Sequence, residues 1–250
     1  MYDSKIRYLA SAFVDAESIV ASATHALELL KAFESDKFLP VMINELSATG
    51  PVGRLGFRAV DGTAEIRLLG KRFDFSFVST NPEGSDLGAF SEFCMQAKNI
   101  LAVSLNFFQR KAHRLAAVQE GFLQKMSSQE TDNLALKLFN FPPLYKQFVP
   151  FEWDWRAISL IEREFSGIKE PTNTITTIKR VPVSIVDFSG DQPSQESSDR
   201  VRVDFDINTI LSNHIARFEQ TQIHEFFDQA PIWHEALSSE VFSFIGRSLP

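Results

Sequence analysis

Cysteine is nearly absent from this 250-residue chain: Cys94 stands alone, so no disulfide can close within it. Long apolar runs are missing too. Nothing approaches the roughly 20 residues that a bilayer-spanning helix requires, which predicts a soluble protein not integral to a membrane. The opening Met1-Tyr2-Asp3-Ser4-Lys5 has no basic region leading into an apolar stretch, so no secretory signal is expected. Together with the single thiol, this points to a reducing cytoplasm. Cys94 falls on an apolar helical stripe, where a buried inert thiol is expected rather than a nucleophile.

Positive charge is also in deficit. Lys and Arg number 25 against 32 Asp and Glu, a net charge of -7. That opposes non-specific nucleic-acid binding, which rests on phosphate neutralisation, so nucleic acid is not expected as the primary ligand. The densest basic cluster, Arg110, Lys111, His113 and Arg114, reads as a solvated helix end whose dipole favours cations.

Catalytic signatures are equally scarce. Gly50 to Gly56 holds glycines without the lysine and helix of a phosphate loop. The pairs His224-Glu225 and His234-Glu235 lack the one-turn spacing of two histidines with which a helix binds zinc, and no Gly-x-Ser-x-Gly elbow is present. Asp61 with Glu65-Ile66-Arg67 comes near a nuclease pattern. There, however, arginine replaces lysine and Asp61 is required by a turn. No cofactor and no enzymatic activity are therefore expected.

What the chain has is phenylalanine, 24 against 3 Trp and 3 Tyr. Leu55 to Ala59 and Ala64 to Leu68 alternate around an Asp61-Gly62 turn, and Gly70-Lys71 turns into Phe73-Asp74-Phe75-Ser76-Phe77. This predicts an antiparallel meander whose third strand puts three rings on one face and Asp74 and Ser76 on a wet face. Leu87, Phe90, Phe93, Cys94, Ala97, Leu101, Leu105 and Phe108 recur at three and four, predicting a long amphipathic helix, capped at Ser85 or Asp86, that covers the Phe face. Upstream, Lys5 to Val14 is a strand with Ile6, Tyr8, Ala10 and Ala12 on one face, and a helix capped by Ser18 follows.

Downstream, Arg114 to Phe122 reads as a strand, and Ser127 to Asn140 as a short helix ended by Pro142-Pro143. Strands are expected over 151–165, 176–188 and 201–207. The polar stretch Ser189 to Asp199 is expected as a mobile loop or long hairpin tip. A helix from Thr209 to Gln229 and a last short helix beyond Pro231 close the chain. The fold class is thus α+β: antiparallel sheet covered by long amphipathic helices in two related strand-then-helix halves. The divisions are 1–126, a helical and proline-rich linker 127–150, and 151–250, with one continuous domain as the alternative.

Two constellations are candidate sites. Asp204 and Asp206 lie two apart on a predicted strand, so both carboxylates share a face, as a divalent-metal nuclease requires. The same alternation describes any half-exposed strand. Second, Phe139, Phe141, Tyr145, Phe148, Phe151, Trp153 and Trp155 crowd a proline-rich segment. They either pack over the core edge or form a partner-binding surface.

In the order of these features, with Phe57-Arg58-Ala59-Val60-Asp61-Gly62, Arg72-Phe73-Asp74-Phe75 and Val203-Asp204-Phe205-Asp206, the chain resembles a sporadically distributed family of uncharacterised bacterial proteins of about this length. That family is similar at fold level to the SecB export chaperone. The resemblance implies a protein-binding or chaperone-like accessory subunit of an antiviral-defence or toxin–antitoxin complex, homo- or hetero-oligomeric with a protein partner or effector subunit. It brings no catalytic residues. The alternative is a metal-dependent nuclease using Asp204 and Asp206.

Overall fold

A computed structural model describes residues 2–33, 37–48, 50–187 and 194–246. In chain order the elements are β1 (Ser4–Phe13), α1 (Ala23–Ala32), β2 (Phe38–Ser47), β3 (Gly50–Ala59), β4 (Ala64–Leu68), β5 (Arg72–Val78) and α2 (Phe90–Phe107). They continue with β6 (Arg114–Phe122), α3 (Ser128–Leu138), α4 (Pro143–Gln147), β7 (Asp154–Phe165), β8 (Ile168–Asp187), β9 (Ser194–Thr209) and α5 (Gln220–Phe244). The protein is α+β. Its strands form one sheet in the order β2-β3-β4-β5-β1-β6-β9-β8-β7, with every neighbouring pair antiparallel.

This order contains a repeat of winding. In the first half β1 pairs with the last strand β5, then β4 and β3 follow outward; in the second, β6 pairs with β9, then β8 and β7. The first strands of the two windings, β1 and β6, lie side by side at the centre. β2 is the extra strand at one outer edge.

Alternation decides the layers. In β5, Phe73 and Phe75 turn toward α2 and are fully buried. Phe75 and Phe93 stack at 5.3 Å between centroids, and Tyr8 of β1 meets Phe90 and Phe93 at 5.1 and 5.4 Å. α2 packs on β5 and β1 and against α5, which in turn packs on β6, β7 and β9. Burying each of these phenylalanines stabilises the fold by roughly 1.5–3 kcal/mol. Cys94 lies in this core, where burial pushes its thiol pKa well up and leaves it unreactive. A second cluster forms where Trp153, Val203, Phe205 and Phe242 meet Leu134 and Ala135 of α3. Among the described residues no helix is long and apolar enough to cross a membrane.

Several boundaries differ from the sequence expectation, each for an identifiable physical reason. Asp86 does not cap α2, because its carboxylate accepts from Gly88 N–H and Lys5 Nζ, and the left-handed Gly88 (φ 75°) delays the helix to Phe90. Ser22, not Ser18, caps α1; the Ser18 hydroxyl accepts from Arg110 instead. Thr209 ends β9 rather than starting a helix, and α5 runs unbroken through Pro231. Proline removes one backbone donor there, yet Phe226, Phe227 and Ala230 before it and His234 and Phe242 beyond it are all buried, so packing carries the helix through. In the polar stretch, Ser194 to Asp199 are strand, paired with β8 up to Asp187; Ser189 to Pro193 lie outside the described residues.

Candidate functional site

The sheet face turned away from α2 is polar, and the strand register shows how it is composed. One row crosses eight strands from Arg58 through Glu65, Ser76, Leu9, Val118, Asp206 and Ile175 to Ile158. The next runs through Arg67, Asp74, Ser11, Ala116, Asn208, Asn173 and Leu160. Residues directly opposite on neighbouring strands have their side chains in reach of one another. Arg58 thereby meets Glu65, Arg67 meets Asp74 and Arg7 meets Glu120, whereas Glu120 and Asp204 stand opposite each other and share Arg202.

Arg7 pairs with Glu120, which also binds Arg202 at 2.8 Å; Arg202 in turn holds Asp204 at 2.6 Å, with Lys179 3.8 Å from the same carboxylate. Asp74 accepts from Ser11 Oγ at 2.6 Å and from Arg72 at 2.9 Å. Asp74 and Ser76 are buried, at 4% and 8% exposure, so the wet face expected beneath the phenylalanines is instead a closed polar layer. Arg72 of the same strand binds Asp74, and Arg67 of β4 and Arg7 of β1 add positive charge nearby. Burial raises the pKa of Asp74 above the usual carboxylate range, against Arg72 and the Ser11 hydroxyl.

Asp204 and Asp206 do share this face, as the alternation of β9 requires. A cavity of about 310 Å³ opens beside them, with Leu9, Val118 and Ile175 among its lining and Arg7, Arg72, Arg114 and Arg156 around it. Burial raises both carboxylates, most directly opposed by Arg202 at Asp204 and by the Asn208 amide at Asp206. Asn208 donates to Asp206 at 2.9 Å. A divalent cation here would enter the field of Arg202, Lys179 and Arg114, which repels it. Among the described residues no group of three or more His, Cys, Asp or Glu side chains is arranged to hold a metal.

Arg114 is not at a helix end. It lies in β6, where it donates to Asn208 and to the Thr209 carbonyl and covers the Phe13 ring at 4.5 Å. Asp61 accepts from Thr63 in the turn, and Glu65 pairs with Arg58 and Arg67, so the nuclease-like spacing is absorbed by hairpin chemistry. One member of each His-Glu pair is held by the fold: His234 is buried with Nε2 3.0 Å from the Ala117 carbonyl, and Glu225 accepts from Ser166.

The aromatic segment divides. Phe139 and Phe141 stack at 5.0 Å, and Phe139 meets the buried Trp153 edge-on at 6.1 Å; these and Trp155 pack on the second core cluster. Tyr145, Phe148 and Phe151, with Leu144, stay exposed, Phe148 at 65% and Phe151 at 81%. α4 is a single turn begun by Pro143, and Pro150 follows it, so the exposed rings ride on conformationally restricted backbone. Next comes β7, an outer strand whose Ile158, Leu160 and Ile161 are also exposed.

Glu120, Arg7 and Arg202 were not singled out by sequence reasoning. A signal for Arg7 existed: with Tyr8, Ala10 and Ala12 inward on β1, residues 7, 9, 11 and 13 must face outward. Comparison with known proteins finds no family model that matches the chain and no match among curated proteins.

Proposed function

We propose that this chain is a non-enzymatic protein-binding subunit, chaperone-like in offering apolar side chains to another polypeptide. The observation that carries the reading is the exposure of Leu144 and Tyr145 on α4 and of Phe148 and Phe151 just after it, on either side of Pro150. Each phenylalanine left in water forgoes roughly 1.5–3 kcal/mol of burial, and restricted aromatic side chains lose little entropy on docking. Aromatic anchors of this kind dominate binding energy at interfaces.

In this reading α2 and α5 are the long amphipathic helices that cover one sheet face and close it to clients. Docking then falls on residues 144–151, ahead of β7. A bacterial defence or toxin–antitoxin complex is the setting that the family resemblance adds, by analogy of fold alone. The nuclease reading gains no observation, since Arg202, Lys179 and Asn208 already hold the Asp204 and Asp206 carboxylates.

Aggregation of reduced insulin B chain, followed by light scattering, tests the proposal. The protein is expected to suppress scattering at stoichiometric amounts, and Phe148→Ser with Phe151→Ser to lose that effect at an unchanged circular dichroism spectrum. Absence of suppression by the wild type, or full suppression by the double variant, would overturn it.

A further inference from the structure

The two outer edges of the sheet are not alike. β2 also exposes apolar side chains, Leu39, Met42 and Leu46, but it carries Pro40, a residue that blunts an edge because it cannot donate to a ladder. β7 has no proline, pairs with β8 in an unbroken register from Asp154 to Phe165, and exposes Ile158 at 52%, Leu160 at 65% and Ile161 at 40%. A long, regular edge with apolar side chains is a template for another strand.

The sequence of β7 is complementary to itself. From the register with β8, Arg156, Ile158, Leu160 and Glu162 share the polar face, with Arg156 opposite Thr177 and Ile158 opposite Ile175. We propose that a second copy of this chain pairs antiparallel with β7 about a two-fold axis at Ser159, joining the two sheets into one. In that register Arg156 faces the partner's Glu162, and Ile158 faces the partner's Leu160. Symmetry repeats both pairs on the other side of the axis, as a closed isologous interface requires. On the other face Ile161 covers the partner's Ala157.

Neighbouring registers that keep the two polar faces on one side fail. Sliding by one pair in one direction sets Ile158 against the partner's Glu162; in the other, Leu160 meets the partner's Arg156. Of these registers the Ser159 one alone sets no charged side chain of this face against an apolar one. It has one unfavourable contact at each end, Asp154 with the partner's Glu164. Lys179 opposite Asp154 and Lys169 opposite Glu164 on β8 supply counter-charge there. Glu162 is free to exchange its present partner, because its 3.8 Å approach to Lys169 is a loose, exposed pair.

This inference rests on β7 and not on the α4 rings, so client binding and self-association succeed or fail separately. Sedimentation velocity of the full chain across micromolar concentrations is the test. A dimer is expected for the wild type, with loss of the dimer boundary in Leu160→Lys and in Arg156→Glu. The double swap Arg156→Glu with Glu162→Arg is expected to restore it, because the symmetric pairs are re-formed with reversed sign. A wild type that stays monomeric, a Leu160→Lys dimer, or a double swap that remains monomeric while folded by circular dichroism would each overturn the proposal.

Discussion

Phe75 of the central sheet and Phe93 of α2 lie ring over ring, 5.3 Å between centroids and 4° between planes. Phe77 closes edge-on against both, at 5.4 and 5.2 Å. The contact ties the meander to the long helix at a point with no solvent access. Phe75→Ala is therefore expected to destabilise the protein by about 3–5 kcal/mol, the range for truncating a fully buried aromatic. Urea unfolding measures it. A fully stable variant that had lost only partner binding would move the interface onto this face of the sheet.

Arg217 is the anchor of the segment between β9 and α5. Its guanidinium binds Glu170, which is 2% exposed, and donates to the carbonyls of His113 at 2.5 Å, Ile215 at 2.9 Å and Asn213 at 3.2 Å. Removing one partner of such a pair leaves a buried charge uncompensated. Arg217→Ala should cost about 3–5 kcal/mol, and Arg217→Ala with Glu170→Gln markedly less. Thermal melts of the two variants separate these outcomes; equal losses would mean that the carboxylate is not the reason.

His234 sits between α5 and the sheet, 4.5 Å from the Phe90 ring, and burial lowers its pKa from 6.5 to about 4. The unfolded chain thus takes up a proton before the folded one does. The stability tied to neutral His234 is complete above about pH 6.5 and is lost as pH falls toward 4, by about 3 kcal/mol across that window. His234→Gln keeps a donor for the Ala117 carbonyl and cannot titrate. Urea midpoints between pH 4 and 7 are expected to fall less steeply for the variant; parallel curves would show that other groups carry the acid sensitivity.

Asp204 and Asp206 provide a further test of the non-enzymatic reading. With Arg202 and Lys179 beside Asp204 and Asn208 donating to Asp206, calorimetric titration with Mg²⁺ or Mn²⁺ should give no saturable heat. Tight binding that disappears in Asp204→Ala would restore the nuclease reading and sink the binding-module one.

Much of the local structure was legible from residue order. The Asp61-Gly62 turn, the Phe73-Phe75-Phe77 alternation and the α2 stripe each depend on neighbours within a few residues, and each lies where periodicity puts it. The failures share a cause in contacts far along the chain. Asp86 looked like a cap because its bond to Lys5, 81 residues away, was invisible. Pro231 looked like a terminus because the burial of both flanking turns against the sheet was not on the local pattern. Asp204 and Asp206 could be placed on one face, but not beside Glu120, whose strand is neighbour to theirs only in three dimensions.

By itself, then, the sequence determined the classes of element, the inward and outward faces of most strands, and the lack of any short catalytic motif, because these follow from backbone periodicity and side-chain chemistry over short spans. Only the tertiary structure decided which strands are neighbours: the β1–β6 junction, the closed polar layer over Asp74, and β7 as an exposed edge. Strand order is set by which apolar faces can be buried together across the whole chain, and no local window contains that information.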